Sequence, residues 1–157
     1  MASTSRIIAS SILTIALTIG LAVFSLAPPS PATAQDVSDP RQEIKLDPAE
    51  RAFVLAEMRG FLQSVEGVIG ALAADRVADA QPSAAKSGMR VMHSVPPTLP
   101  TKLPKEFMMM GRATHQAFDA LAEEAASMGD KTAVLKQLET ILNTCNTCHS
   151  SYRLSGR

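Results

Sequence analysis

From Asp47 to Leu72 apolar side chains recur at steps of three and four, a period that limits this stretch to one long amphipathic helix. Its start is marked as clearly as its period. Asp47 can accept from the first free amides, Pro48 suits the first helical position, and Glu50 can close a capping box. Two apolar rows overlap: Leu55, Met58, Leu62, Val65, Ile69, Leu72, and Val54, Met58, Phe61, Val65, Val68, Leu72. Together they predict a broad apolar stripe on a helix of about 26 residues.

Three further helical segments follow. Val77, Ala80, Ala84, Gly88, Val91 and Met92 keep a rough helical period, with Pro82 in a first turn or a kink. That helix ends near His93, because Pro96, Pro97 and Pro100 leave Val95 to Leu103 as an extended crossing loop. Pro104 opens a third helix with Phe107, Gly111, Thr114, Phe118, Leu121 and Ala125 on its apolar side. Gly129 ends it and Asp130 caps a fourth, which buries Val134, Leu138, Ile141 and Leu142 and runs on into Cys145, Cys148, His149 and Tyr152. No segment alternates with period two for long enough to read as a strand. A chain without Trp and with one Tyr suits packed helices better than sheets. The expectation is an all-α protein, one antiparallel four-helix bundle over residues 35–157.

Residues 1–34 have a different character. Arg6 is their only charged side chain, and Ile7 to Ala27 is almost unbroken apolar sequence. Pro28, Pro29 and Pro31 then break any helix, and Ala32-Thr33-Ala34 offers the small residues that a signal peptidase reads. This segment reads as an export signal cleaved after Ala34; the alternative is an uncleaved anchor, since the apolar run is long enough to span a bilayer. Either way the bundle is expected outside the cytoplasm, in the periplasm, and cleavage leaves it with no stable membrane association. Fifteen basic and fifteen acidic side chains cancel, which argues against nucleic acid or an anionic membrane as the main partner.

Cys145-Asn146-Thr147-Cys148-His149 is the sharpest chemical signal. Two thiols at this spacing can add to the two vinyl groups on one edge of a haem, and the adjacent His can then reach the iron from below the ring. Export fits, because c-type haem is attached outside the cytoplasm in bacteria. Other readings of the pair are a redox-active dithiol, which usually opens a helix beside a parallel sheet, and a structural zinc site. Zinc would need a fourth ligand, with His93 and His115 as the only other histidines. A disulfide between Cys145 and Cys148 is awkward inside a helix. The reading adopted is one covalently bound haem c, held by Cys145 and Cys148, with His149 as axial iron ligand.

The run Cys145-Asn146-Thr147-Cys148-His149-Ser150-Ser151-Tyr152-Arg153, near the end of the last helix, resembles the cytochrome c-prime family. The resemblance implies a four-helix bundle with haem on the fourth helix, and it implies that Arg153 lies near a haem propionate. A cation at a helix C-terminus also opposes the helix dipole, and both roles are compatible. The first helix also resembles the family: Arg51 and Leu55 match its Arg and its distal apolar residue, which implies Arg51 near a propionate and Leu55 over the iron. Some family members leave the sixth position open and bind small gases such as nitric oxide; others place a Met sulfur there and carry electrons. Met58 lies three residues beyond Leu55 on nearly the same face, so Met58 as second axial ligand and an open iron beside Leu55 both stand.

The remaining candidates have plainer roles. His93 is expected to be a solvated surface residue, and His115 a polar edge of the core or a propionate contact. Met108, Met109 and Met110 must point in three directions around a helix, so at least one is expected to be exposed. Phe53, Phe61 and Val68 extend the apolar circumference of the first helix, either to complete the core or to form a homodimer contact. No pair of acids and no nucleophile–base spacing suggests an enzyme. Three functions follow: an exported electron carrier serving redox partner proteins, a five-coordinate binder of nitric oxide or carbon monoxide, and a non-haem helical module with a redox or structural Cys pair.

Overall fold

The computed structural model describes residues 38–127 and 129–156. The export-signal reading of residues 1–34 lies outside them, and among the described residues no helix is long and apolar enough to cross a membrane. The first helix, α1 (Pro48–Ala73), starts where its cap predicts. Glu50 N donates to Asp47 Oδ1 at 2.9 Å, and Asp47 N donates in return to Glu50 Oε2 at 3.3 Å. The cap also has a tertiary role. Glu50 is buried, and its carboxylate accepts from Lys102 Nζ at 2.7 Å and Thr98 Oγ1 at 2.8 Å, tying α1 to the proline-rich connection.

The second predicted helix is broken. A 3-10 turn at Val77–Asp79 leads into α2 (Ala80–Ala85), and a second turn occupies Met89–Ser94. Pro82 sits in the first turn of α2, where its missing N–H is harmless. Gly67 of α1 faces Ser83 so closely that a Cβ would collide with that side chain, so this glycine lets α1 approach α2. The stretch Val95 to Leu103 is not wholly extended, since Leu99–Thr101 forms another 3-10 turn with Leu99 buried. Helix α3 (Lys105–Ser127) begins after Pro104. Gly129, at φ 63°, takes the left-handed conformation that Gly adopts without a Cβ penalty. Asp130 caps α4 (Lys131–Ser151) by accepting from Thr132 N at 2.8 Å.

Helix α1 packs on α2, α2 on α3 and α3 on α4. The connections are short, and the result is the expected four-helix bundle with an abbreviated second member. Phe61, Val68 and Leu72 meet Phe118, Leu121, Val134, Leu138 and Ile141 in the main core. Only the second of the two apolar rows on α1 is the buried one. Leu62 and Ile69 of the first row are 68% and 49% exposed, and Leu142 of α4, expected in the core, is 41% exposed. Of the two readings of Phe53, Phe61 and Val68, the packing matches completion of the core: Phe61 and Val68 are buried inside one chain, and Phe53 packs against a second apolar cluster.

The bundle carries one addition that was not expected, a two-stranded parallel pairing. Strand β1 (Gln42–Leu46) lies beside β2 (Tyr152–Gly156), with Glu43 opposite Arg153 and Ile44 opposite Leu154. Ile44 and Leu46 point inward and, with Val54 and Leu99, form the second cluster, against which Met58, Phe107 and Tyr152 pack. The pairing fixes the start of α1 beside the end of α4.

Asp39, just before β1, is held by the Arg41 guanidinium at 2.6 Å and by the Arg41 backbone N–H at 3.1 Å. These contacts, with a smaller contribution from the charge of Arg153, lower its carboxyl from 3.8 to about 2. A folded-state value below the unfolded one means that the contribution to stability is complete above pH 3.8 and is lost as the pH falls toward about 2. The expected result is that the thermal midpoint of the wild type falls over that window more steeply than that of Asp39→Asn. Parallel curves for the two proteins would contradict it.

Candidate haem site

The sequence places Cys145, Cys148 and His149 on the last two turns of α4, and the bundle turns all three toward one apolar cavity of about 290 Å³. Its walls come from α1 (Phe53, Val54, Met58, Phe61), from the connection (Met92, Val95, Leu99, Leu103) and from α3 (Phe107, Met108, Met110, Gly111). A second cavity of about 250 Å³ adjoins it and has a different lining. It is walled by Arg41, Arg51, Arg153, Leu55 and Tyr152. Both cavities touch Val54, Met58, Phe107, Cys148 and His149, so an apolar slot and an arginine-lined mouth meet at the end of α4.

The electrostatics separate the possible uses of the two cysteines. Both are free thiols. Burial pushes the Cys145 thiol up, and Cys148 is raised by burial and then by its neighbour Cys145. They sit at the C-terminal end of a helix, where the dipole disfavours an anion. A redox dithiol needs the opposite, a depressed pKa at a helix N-terminus or beside a cation. Among the described residues no group of three or more His, Cys, Asp or Glu is placed to hold a metal ion, and a structural zinc site would need further such donors beside the two cysteines.

Arg51 and Arg153, both read from the resemblance, reach the same cavity mouth. The Nε of each is buried and makes no hydrogen bond. A buried unsatisfied N–H costs about 1–3 kcal/mol, so an anionic group at this mouth would complete both side chains. Leu55 lines only the arginine-lined cavity, whereas Met58 lines both. His93 is exposed and its Nδ1 lies 2.9 Å from the Arg90 carbonyl, as expected of a surface histidine. His115 is 3% exposed and lies against Phe61 with ring centroids 4.9 Å apart. Its Nδ1 is 2.8 Å from the Ser87 carbonyl and its Nε2 is 3.7 Å from Glu57. Burial alone would lower its pKa, but Glu57, the Ser87 carbonyl and Asp119 outweigh it and the net direction is up. Of the methionine run, Met109 is 60% exposed while Met108 and Met110 face the cavity.

Gly111, in the middle of α3, lines the apolar cavity with no atom within 4 Å of where its Cβ would stand. The space beside it belongs to the cavity. We expect Gly111→Leu to fold, since Leu is a better helix former than Gly by nearly 1 kcal/mol, but to retain covalent haem on only a minority of chains. Haem absorbance per chain checks this, and wild-type loading would contradict it.

Fold and site together define a helical bundle with a Cys-x-x-Cys-His segment facing an apolar slot at the end of its last helix. The family model described as Cytochrome C' matches residues 102–153, and over that stretch, about a third of its length, the chain is similar to the cytochrome c-prime family. No curated protein and no solved structure matches the chain. The matched residues run from the proline-rich connection through α3 and α4 into β2, so α1, with Leu55 and Met58, lies outside them. The family implies a covalently bound c-type haem and, in general terms, electron transfer or gas binding. The residues present fit that group: two free thiols and a His on one apolar slot, with two partly unsatisfied arginines at its mouth.

Sequence reasoning missed much of the wall. Met92, Val95, Leu99 and Leu103 lie in a segment whose prolines erase any period, and Arg41 belongs to a stretch that carried no motif. Glu50 holds that segment in place through its bonds to Thr98 and Lys102, contacts that its capping-box pattern does not announce.

Proposed function

We propose that the protein is an exported, periplasmic electron carrier in which Cys145 and Cys148 bind haem c through thioether bonds, with His149 and Met58 as the two axial ligands. The bound haem supplies a ferric/ferrous couple that carries one electron. The chain's own residues do the rest. Cys145 and Cys148 fix the group to α4, the walls from α1, α3 and the connection exclude water, and Arg51 and Arg153 meet the propionates. A thioether favours ferrous iron and raises the reduction potential, and no substrate chemistry is required of any side chain. Redox partner proteins are the expected partners.

The observation that supports Met58 over an open iron beside Leu55 is that Met58 borders both cavities together with Cys148 and His149, while Leu55 borders only the arginine-lined one. Carbon monoxide titration of the reduced, haem-loaded protein tests the choice. Weak, slow binding is expected for a six-coordinate carrier; fast stoichiometric binding would support the gas-binding reading instead. A chain that acquires no covalent haem when matured with the haem-attachment machinery would leave only the non-haem module.

A further inference from the structure

Arg41 lies immediately before β1, in a segment to which no functional role attaches from sequence. Its Nη1 donates to the backbone carbonyl of His149 at 3.2 Å, across 108 positions of chain. That carbonyl is one of the last four of α4, which have no intrahelical partner. The other side of the guanidinium is held by Asp39, through Nη2 at 2.6 Å and Nε at 2.9 Å. Asp39 also lies 3.9 Å from Arg153 Nε, and Arg153 Nη2 lies 3.6 Å from Glu43, its partner across the β1–β2 register. Arg41 thus lines the arginine-lined cavity beside Arg51 and Arg153 while gripping the main chain of the iron-ligand position.

We propose that Arg41 is a positioning residue of the haem site: it orients the His149 main chain and sets, against Asp39, the positive charge at the mouth of the cavity. The N-terminal segment from Asp39 to Leu46 is then part of the redox centre, strapped to the haem-bearing end of α4 by the parallel strand pair. This rests on the haem reading above. The alternative is that Arg41 only caps a helix, which would affect stability and leave the redox couple alone.

Ferric haem carries one more positive charge than ferrous, so removing a nearby cation favours the ferric form and removing a nearby anion favours the ferrous form. The test uses the full chain matured with covalent haem, as wild type, Arg41→Gln, Arg41→Lys and Asp39→Asn. At a fixed ambient potential, Arg41→Gln is expected to lower the ferrous-to-ferric ratio about threefold, as for a unit charge at a partly wetted rim. Arg41→Lys is expected to restore most of that ratio, and Asp39→Asn to raise it. Arg41→Gln and Asp39→Asn both keeping the wild-type ratio, whatever happens to their thermal midpoints, would overturn the proposal. If Arg41→Gln fails to accumulate, an unchanged ratio in Asp39→Asn overturns it alone. A wild type without covalent haem would instead sink the function proposed above, so the two failures are distinguishable.

Discussion

Replacing Cys145 and Cys148 together with Ala is expected to abolish all haem that survives acid–acetone extraction, while leaving the helical content of the chain intact. Both thiols sit at the edge of the core, and only Cys145 packs against the main cluster, so the double change removes little buried volume. A Cys is a small hydrophobe, and Ala fills most of its space. Each single variant is expected to retain one thioether and hence haem that resists extraction, with an altered absorption band. The contrast between singles and double separates covalent attachment from mere binding in the slot. Extractable haem in the wild type, or non-extractable haem in the double variant, would contradict the account.

The second large effect is expected at Met58. Met58→Ala should convert a low-spin ferric spectrum to a high-spin one and raise the apparent affinity for carbon monoxide. A sulfur that occupies the sixth position in ~99% of molecules lowers the apparent affinity of a competing gas about 100-fold, and the substitution removes that factor. The midpoint potential should fall as well, since the thioether no longer favours ferrous iron. Met58 is part of two apolar clusters, so truncation to Ala also costs stability, of order 2 kcal/mol for a partly buried site. Met58→Leu keeps the volume and removes the sulfur, so it isolates ligation from packing. An unchanged ferric spectrum in both variants would show that Met58 only fills the core, and Leu55 would remain as the distal residue.

The parts of this fold that could be read from sequence are those specified locally. The Asp47-Pro48-Ala49-Glu50 signal placed the start of α1, and Asp130 that of α4, because a cap is decided by residues within one turn of it. Which apolar row of α1 is buried could not be read the same way. Phe61 with Val68 and Leu62 with Ile69 share the same period, and only the position of α2 and α3 selects the first pair. The strand pair was invisible for a similar reason. Gln42-Glu43-Ile44-Lys45-Leu46 alternates over only two apolar residues, and its partner lies 110 positions away. In the site, Cys145, Cys148 and His149, which line one cavity, could be singled out because haem attachment would demand their spacing. Arg41 and the wall from Met92 to Leu103 could not, since they reach the cavity through tertiary contacts that no local pattern encodes.

The most direct test is the intact mass of the protein after expression of the full chain with haem-maturation machinery. The account predicts an increase over the polypeptide of one haem, lost in the Cys145/Cys148 double variant. A polypeptide mass without that increment, under conditions where a control c-type cytochrome is matured, would contradict it.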